Sequence, residues 1–166
     1  MDWMFNGLPL HILLVHFVVI VVPLAALCVV LSAVWPAARR RLGVVTPIIA
    51  LSALISVPIT VQAGEALEEL VKENSLLEIH TEMGDTLLPW AVGLFLVSVV
   101  QWCWHHYFAN RNARFSGQVT SSTRRVAVTA ALAVLVAATA AGSCVTVFQI
   151  GESGARASWS DVSSGG

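Results

Sequence analysis

His11 and His16 stand five positions apart near the beginning of one long apolar run, and His80 stands five positions before Asp85 near the beginning of another. Imidazole is the commonest metal ligand a protein offers, and it is the usual ligand of haem iron. Facing histidines on two helices of a bundle can fill both axial positions of a b-type haem, whereas imidazoles joined by carboxylates suit a transition-metal ion. For a haem the candidates are His16, His80 and His11. For a metal ion the set widens to His11, His16, Glu65, His80 and Glu152, the two glutamates each following a further apolar run. Residues five apart on a helix are separated by about 140°, so at most one of His11 and His16 shares an iron with His80, and His16 is taken first. Gly84, one turn after His80, leaves room for a flat ring beside its helix, with Met83 and Trp90 available to pack on it.

The elements that position these groups are four apolar segments. Hydrophobic residues make up 57% of the 166-residue chain and charged residues 11%, against roughly half and a quarter in soluble domains. Segments 10–35, 44–63, 76–104 and 126–148 each reach the roughly 20 residues that cross a bilayer. In lipid such runs are helices, because an exposed strand edge leaves backbone groups unpaired. The expected fold is therefore all-α: an integral membrane four-helix up-down bundle over 1–148, followed by a short tail, 149–166, outside the membrane. Ser75 with Glu78 is a capping-box signature that starts the third helix at Leu76. Pro23, Pro58 and Pro89 are expected to bend helices one, two and three. Ala133, Ala137 and Ala141, and Ser52 with Ser56, repeat every four residues and are expected to line close helix contacts. The first span is expected to stay attached, since Asp2 replaces the basic flank of an export signal and no small-residue cleavage site follows.

Charge sets the orientation. Arg39, Arg40, Arg41, Arg111, Arg114, Arg124 and Arg125, seven of the nine basic residues, fall in the connections after spans one and three. The positive-inside rule puts those connections in the cytoplasm, and both termini and the acidic 64–75 loop outside. Trp35, Trp102 and Trp104 then mark the inner interface, and Trp3 and Trp159 the outer. Counting outward about 20 residues from Trp35 puts His16 at the outer edge of the hydrocarbon and His11 about 7 Å above it, and the same count from Trp104 puts His80 near the height of His11. Ionisable groups at that depth are costly unless paired or used. Glu65, Glu68, Glu69 and Glu73 read as a solvated face of a short interfacial helix or of an extension of span two, and His105 and His106, beside Tyr107, as interfacial residues. Cys28, Cys103 and Cys144 lack redox or zinc spacing and read as small core hydrophobes. A net charge of −1 and the lack of a basic aromatic patch exclude nucleic acid, and no nucleophile elbow, zinc-protease helix or phosphate loop is present.

Asn6, Gly7, Leu8, Pro9, Leu10 and His11, followed by Val15, His16 and Phe17, make a pattern that resembles a bacterial family of small four-span membrane proteins of unknown function. That family's N-terminus reads G-x-P-x-H-x-x-x-V-H-F. The segment from Ile150 through Gly151, Glu152, Ser153 and Gly154 to Trp159 is similar to the family's closing segment, so the likeness spans nearly the whole chain. The resemblance implies a bacterial cytoplasmic-membrane location, a relation to membrane b-type cytochromes and no particular reaction; it makes His11 and His16 the motif histidines and His80 the third-span histidine. This chain departs where Glu152 occupies a position that is frequently histidine in the family. A carboxylate there favours a hard or mixed metal site over haem. Two functions follow as expectations. One is a haem- or metal-binding histidine cluster at the outer face, serving electron transfer. The other is a non-catalytic accessory subunit, packed in the lipid bilayer against a larger respiratory complex or another copy.

Overall fold

In the computed structural model the described residues are 4–5, 7–68, 75–109 and 122–163. Asp2, Trp3, Asn6, Glu69, Glu73, Arg111, Arg114 and the Ser75 side chain, each given a part above, lie outside them.

A two-residue hairpin opens the fold, β1 (Met4–Phe5) antiparallel to β2 (Leu8–Pro9), with Phe5 opposite Leu8. Gly7 makes its turn at φ +81°, where a side chain would clash with the backbone. Pro9, at φ −58°, caps α1 (Leu10–Val34), so His11 falls in the first helical turn. The arginine-bearing connection is itself a short helix, α2 (Pro36–Leu42). Pro36 starts it, and Gly43 stops it at φ +45° with its N–H donating to Arg39 O at 3.0 Å. α3 (Val45–Glu68) runs through Pro58 and past the expected end at Ala63, so Glu65 and Glu68 belong to an extension of the second long helix.

The third span is two helices, α4 (Ser75–Asp85) and α5 (Leu87–Cys103), the latter running into a π-helical turn, Trp104–Ala109. Pro89 lies in the first turn of α5, where its missing N–H costs little, and the interruption falls at Thr86. There the Thr86 N–H and hydroxyl both donate to Met83 O, at 3.1 and 2.6 Å. α6 (Ser122–Ser163) does not end at Phe148. The expected tail continues the same helix through 42 residues, held by an Arg156–Glu152 pair one turn apart and by packing on α4.

Four helices, Leu10–Val34, Val45–Glu68, Glu78–Phe108 and Ser122–Ala157, are long and apolar enough to cross a membrane. α1 and α5 sit diagonally, each packed between α3 and α6. His11, His16 and His80 collect with Glu65 and Glu68 at one end, the histidine end; Arg39 and the π turn, with His105 and His106, lie at the other, the arginine end. Val22, Ala25, Val29, Ala53, Val57 and Leu94 form the centre of the core. The outward faces are equally greasy: Ile20, Val134 and Phe148 are each about two-thirds exposed or more. A helix apolar all round belongs inside a large core or in lipid.

The alanine stripe of α6 reverses the expectation. Ala133, Ala137 and Ala141 face outward, while Leu132, Val136, Ala140, Ser143 and Val147 face the bundle. Close approach of α5 and α6 comes instead from glycines: a Cβ on Gly142 would overlap the Trp90 ring, and one on Gly93 would come within 3.1 Å of Thr139. Ser56 is buried on α3 as expected, Ser52 half-buried. Cys28 is buried, but Cys103 is only half-buried and Cys144 is exposed, so they do not share a core role.

Candidate functional site

A cleft of about 600 Å³ opens at the histidine end, between the start of α1, the end of α3, α4 and the final turns of α6. His11, His16, Glu65 and His80 all line it, with Val15, Val57, Leu87 and Val147 among its apolar floor and walls. This size and mixture suit a small-molecule or cofactor site, where apolar walls surround a few convergent polar groups.

The rings of His11 and His80 meet there, centroids 6.4 Å apart and planes at 83°. Each is fixed by a bond that also sets its tautomer. Thr60 O can only accept, so His11 Nδ1–H donates to it at 3.0 Å. Pro9 and the hairpin start α1 at the height that makes this reach to α3 possible. On the other side, the hydroxyl of Ser153 donates to Ile150 O at 2.8 Å and is left to accept His80 Nδ1–H at 2.9 Å. With Nδ1 so engaged, Nε2 is the nitrogen that carries the lone pair in the neutral ring. A ligand histidine commonly has this arrangement, one nitrogen anchored on a carbonyl or hydroxyl and the other presenting its lone pair.

Glycines let the two rings lie flat on their neighbours. An ideal Cβ on Gly64 would stand 3.0 Å from the His11 ring, and one on Gly154 2.9 Å from His80 Cε1. Gly84 also lines the cleft, where a Cβ would make an ordinary 3.6 Å contact with Val61. It leaves less critical room than expected. Trp90 packs over Gly142 and is not part of the lining.

The partner of His80 is thus His11, not His16. His16 is exposed, and its Nδ1–H turns back to Ile12 O on its own helix at 2.6 Å; the expected height match between His11 and His80 decides the pairing over proximity to hydrocarbon. Glu65 is exposed at the cleft mouth beside Glu68, which also lines the cleft. Glu152 is absent from the lining and pairs with Arg156 at 2.6 Å on the exposed side of α6. The five residues of the metal set do not converge: among the described residues no three His, Cys, Asp or Glu gather closely enough to hold an ion.

Sequence reasoning missed Thr60, Gly64, Ser153 and Gly154. The last two sit inside the closing segment singled out above, next to residue 152, which successive 100° steps around the helix turn away from the cleft. Comparisons with known protein families, with curated proteins and with solved structures each find no match for this chain.

Proposed function

We propose that the chain is a multi-pass protein of the bacterial cytoplasmic membrane whose cleft at the histidine end holds a haem through His11 and His80, and that it serves one-electron transfer. The observation that carries this reading is the pair of imidazoles in one apolar cleft, each held through Nδ1 by a hydrogen bond. Two imidazoles bound to one metal at about 2.0 Å per nitrogen have ring centres roughly 6 Å apart, close to the 6.4 Å found. When bound, the iron supplies a one-electron couple. The protein's part is to hold the ring planes through Thr60 O and Ser153 Oγ and to keep water from the site with valine and leucine walls. No lysine or arginine lines the cleft, so haem carboxylates would gain no ion pair from the described lining and would be left to water at the mouth.

Membrane insertion is supported by the four long apolar helices and by their greasy outward faces. The placement of Trp35 and Trp159, each more than half exposed, at opposite ends fits two interfacial belts. In this reading the arginine end faces the cytoplasm and the histidine end and both termini face outward.

Purification in detergent from cells supplied with haem and metals, followed by a reduced-minus-oxidised spectrum and metal analysis, tests the proposal. A six-coordinate b-type spectrum lost in both His11→Ala and His80→Ala is the expected result; a colourless, iron-free protein overturns it. A second reading, an accessory subunit, draws on the outward-facing Ala133, Ala137 and Ala141, which would let another helix approach closely. Crosslinking in the membrane that yields a stoichiometric partner joined through α6 would favour it, and a protein that always runs alone would not.

A further inference from the structure

At the arginine end a second cavity, of about 540 Å³, is lined by Arg39, Arg40, Gln101, Trp102 and His105. Arg39 is half-buried and spans it: Nε–H donates to Ser32 O at 2.6 Å, an Nη2–H to Ala33 O at 2.6 Å, and an Nη1–H to His105 Nδ1 at 3.2 Å. A guanidinium carries five N–H groups, so donors remain after these three. Burial lowers the Arg39 pKa from the ordinary arginine value, yet an arginine stays charged in proteins. Since His105 Nδ1 accepts from Arg39, the imidazole proton is on Nε2, another donor. Gln101 is 4% exposed, and it lines the cavity beside His105. The cavity is rich in donors.

The described residues that line the cavity include no carboxylate. All 10 carboxylates lie at position 2, within 65–85, or at 152 and 161; segments 3–64 and 86–151 contain none, including the stretch 110–121. The Arg156–Glu152 pair lies at the opposite end. Arg39 is held by two carbonyls and an imidazole and by no carboxylate among the described residues, so an anion entering the cavity would meet its remaining donors.

We propose that this cavity binds a phosphate group, Arg39 and Arg40 supplying charge while the Gln101 amide and His105 Nε2–H supply direction. Arginine forks match phosphate oxygens in pairs, and the cavity is large enough for a phosphate with its attached glycerol. Two sources share this chemistry: the headgroup of an acidic phospholipid, for which basic pockets between membrane helices are a known kind of site, and free inorganic phosphate.

The test uses the full chain purified in neutral detergent. One arm titrates inorganic phosphate by calorimetry; the other titrates phosphatidylglycerol in mixed micelles against phosphatidylcholine. Wild type is compared with Gln101→Leu, which keeps the packing and removes the amide, and with Arg40→Gln, an exposed site whose change leaves the fold alone. Saturable one-site binding in either arm, weakened at least fivefold in Gln101→Leu and severalfold in Arg40→Gln, supports the proposal, and the arm that responds identifies the source. Binding in neither arm overturns it. So does binding of wild-type strength in both variants, which would assign the affinity to general surface charge.

Discussion

The contact between His80 and Gly154 makes a sharp stability prediction. A methyl group added at Gly154 would stand 2.9 Å from His80 Cε1 and 3.2 Å from Nδ1, whereas carbon contacts are relaxed from about 3.5 Å outward. The ring must retreat by roughly 0.6 Å, which stretches its 2.9 Å bond to Ser153 Oγ to about 3.5 Å, the limit of a hydrogen bond. Crowding costs about 1–3 kcal/mol and the weakened bond about 0.5–1.5 kcal/mol, while alanine gains about 1 kcal/mol over glycine in a helix. Gly154→Ala should therefore destabilise by roughly 1–3 kcal/mol. Gly151, one turn earlier on the same helix, has nothing within 4 Å of its Cβ direction, so Gly151→Ala should stabilise by up to about 1 kcal/mol. Reversible unfolding of both variants in detergent, followed by circular dichroism, reads the difference directly. If Gly154→Ala gains as much stability as Gly151→Ala, the close seating of His80 on α6 is wrong, and with it the geometry of the cleft.

Three further outcomes follow from the same packing. Ser153→Ala removes the anchor of His80 Nδ1 and should weaken metal or haem retention by about 10–100-fold, as loss of such outer partners commonly does, with a stability loss of only about 1 kcal/mol; unchanged retention would show that the anchor is idle. His16→Ala should leave any bound chromophore's spectrum intact where His11→Ala bleaches it, because His16 is bonded to its own helix and exposed; the reverse result would restore His16 as the ligand. Gly142→Leu should cost about 1–3 kcal/mol by overpacking against Trp90, measured by the same unfolding, and a neutral result would mean that α5 and α6 separate more readily than their packing indicates.

Much of the framework was legible in the residues because lipid-scale apolar runs and charge clusters are strong, long-range signals. Counting residues from tryptophans correctly put His11 and His80 at one height. It favoured His16 over His11 as the partner of His80, because it could not see where α1 starts, which the Gly7 turn and Pro9 set. The alanine stripe misled for a related reason. On a helix whose faces are all apolar, polarity no longer distinguishes inside from outside, and the inward face of α6 is chosen by the fit of Trp90 over Gly142. Glu152 was legible as a charged group but not as one that turns outward to Arg156. The carbonyl of Thr60 was beyond reach altogether, because every residue has one and only the fold selects it.

The end of α6 has a consequence for how the cleft can work. At about 1.5 Å per residue its 42 residues make a rod of roughly 63 Å, twice the depth of a hydrocarbon layer. The final turns are thus an overhanging wall, and two of their residues, Ser153 and Gly154, set the position of the His80 imidazole. Fraying of that wall and filling of the cleft are then one coupled equilibrium: an occupant that needs His80 in place tightens the terminal turns and slows exchange of their amides, and whatever unwinds them ejects the occupant.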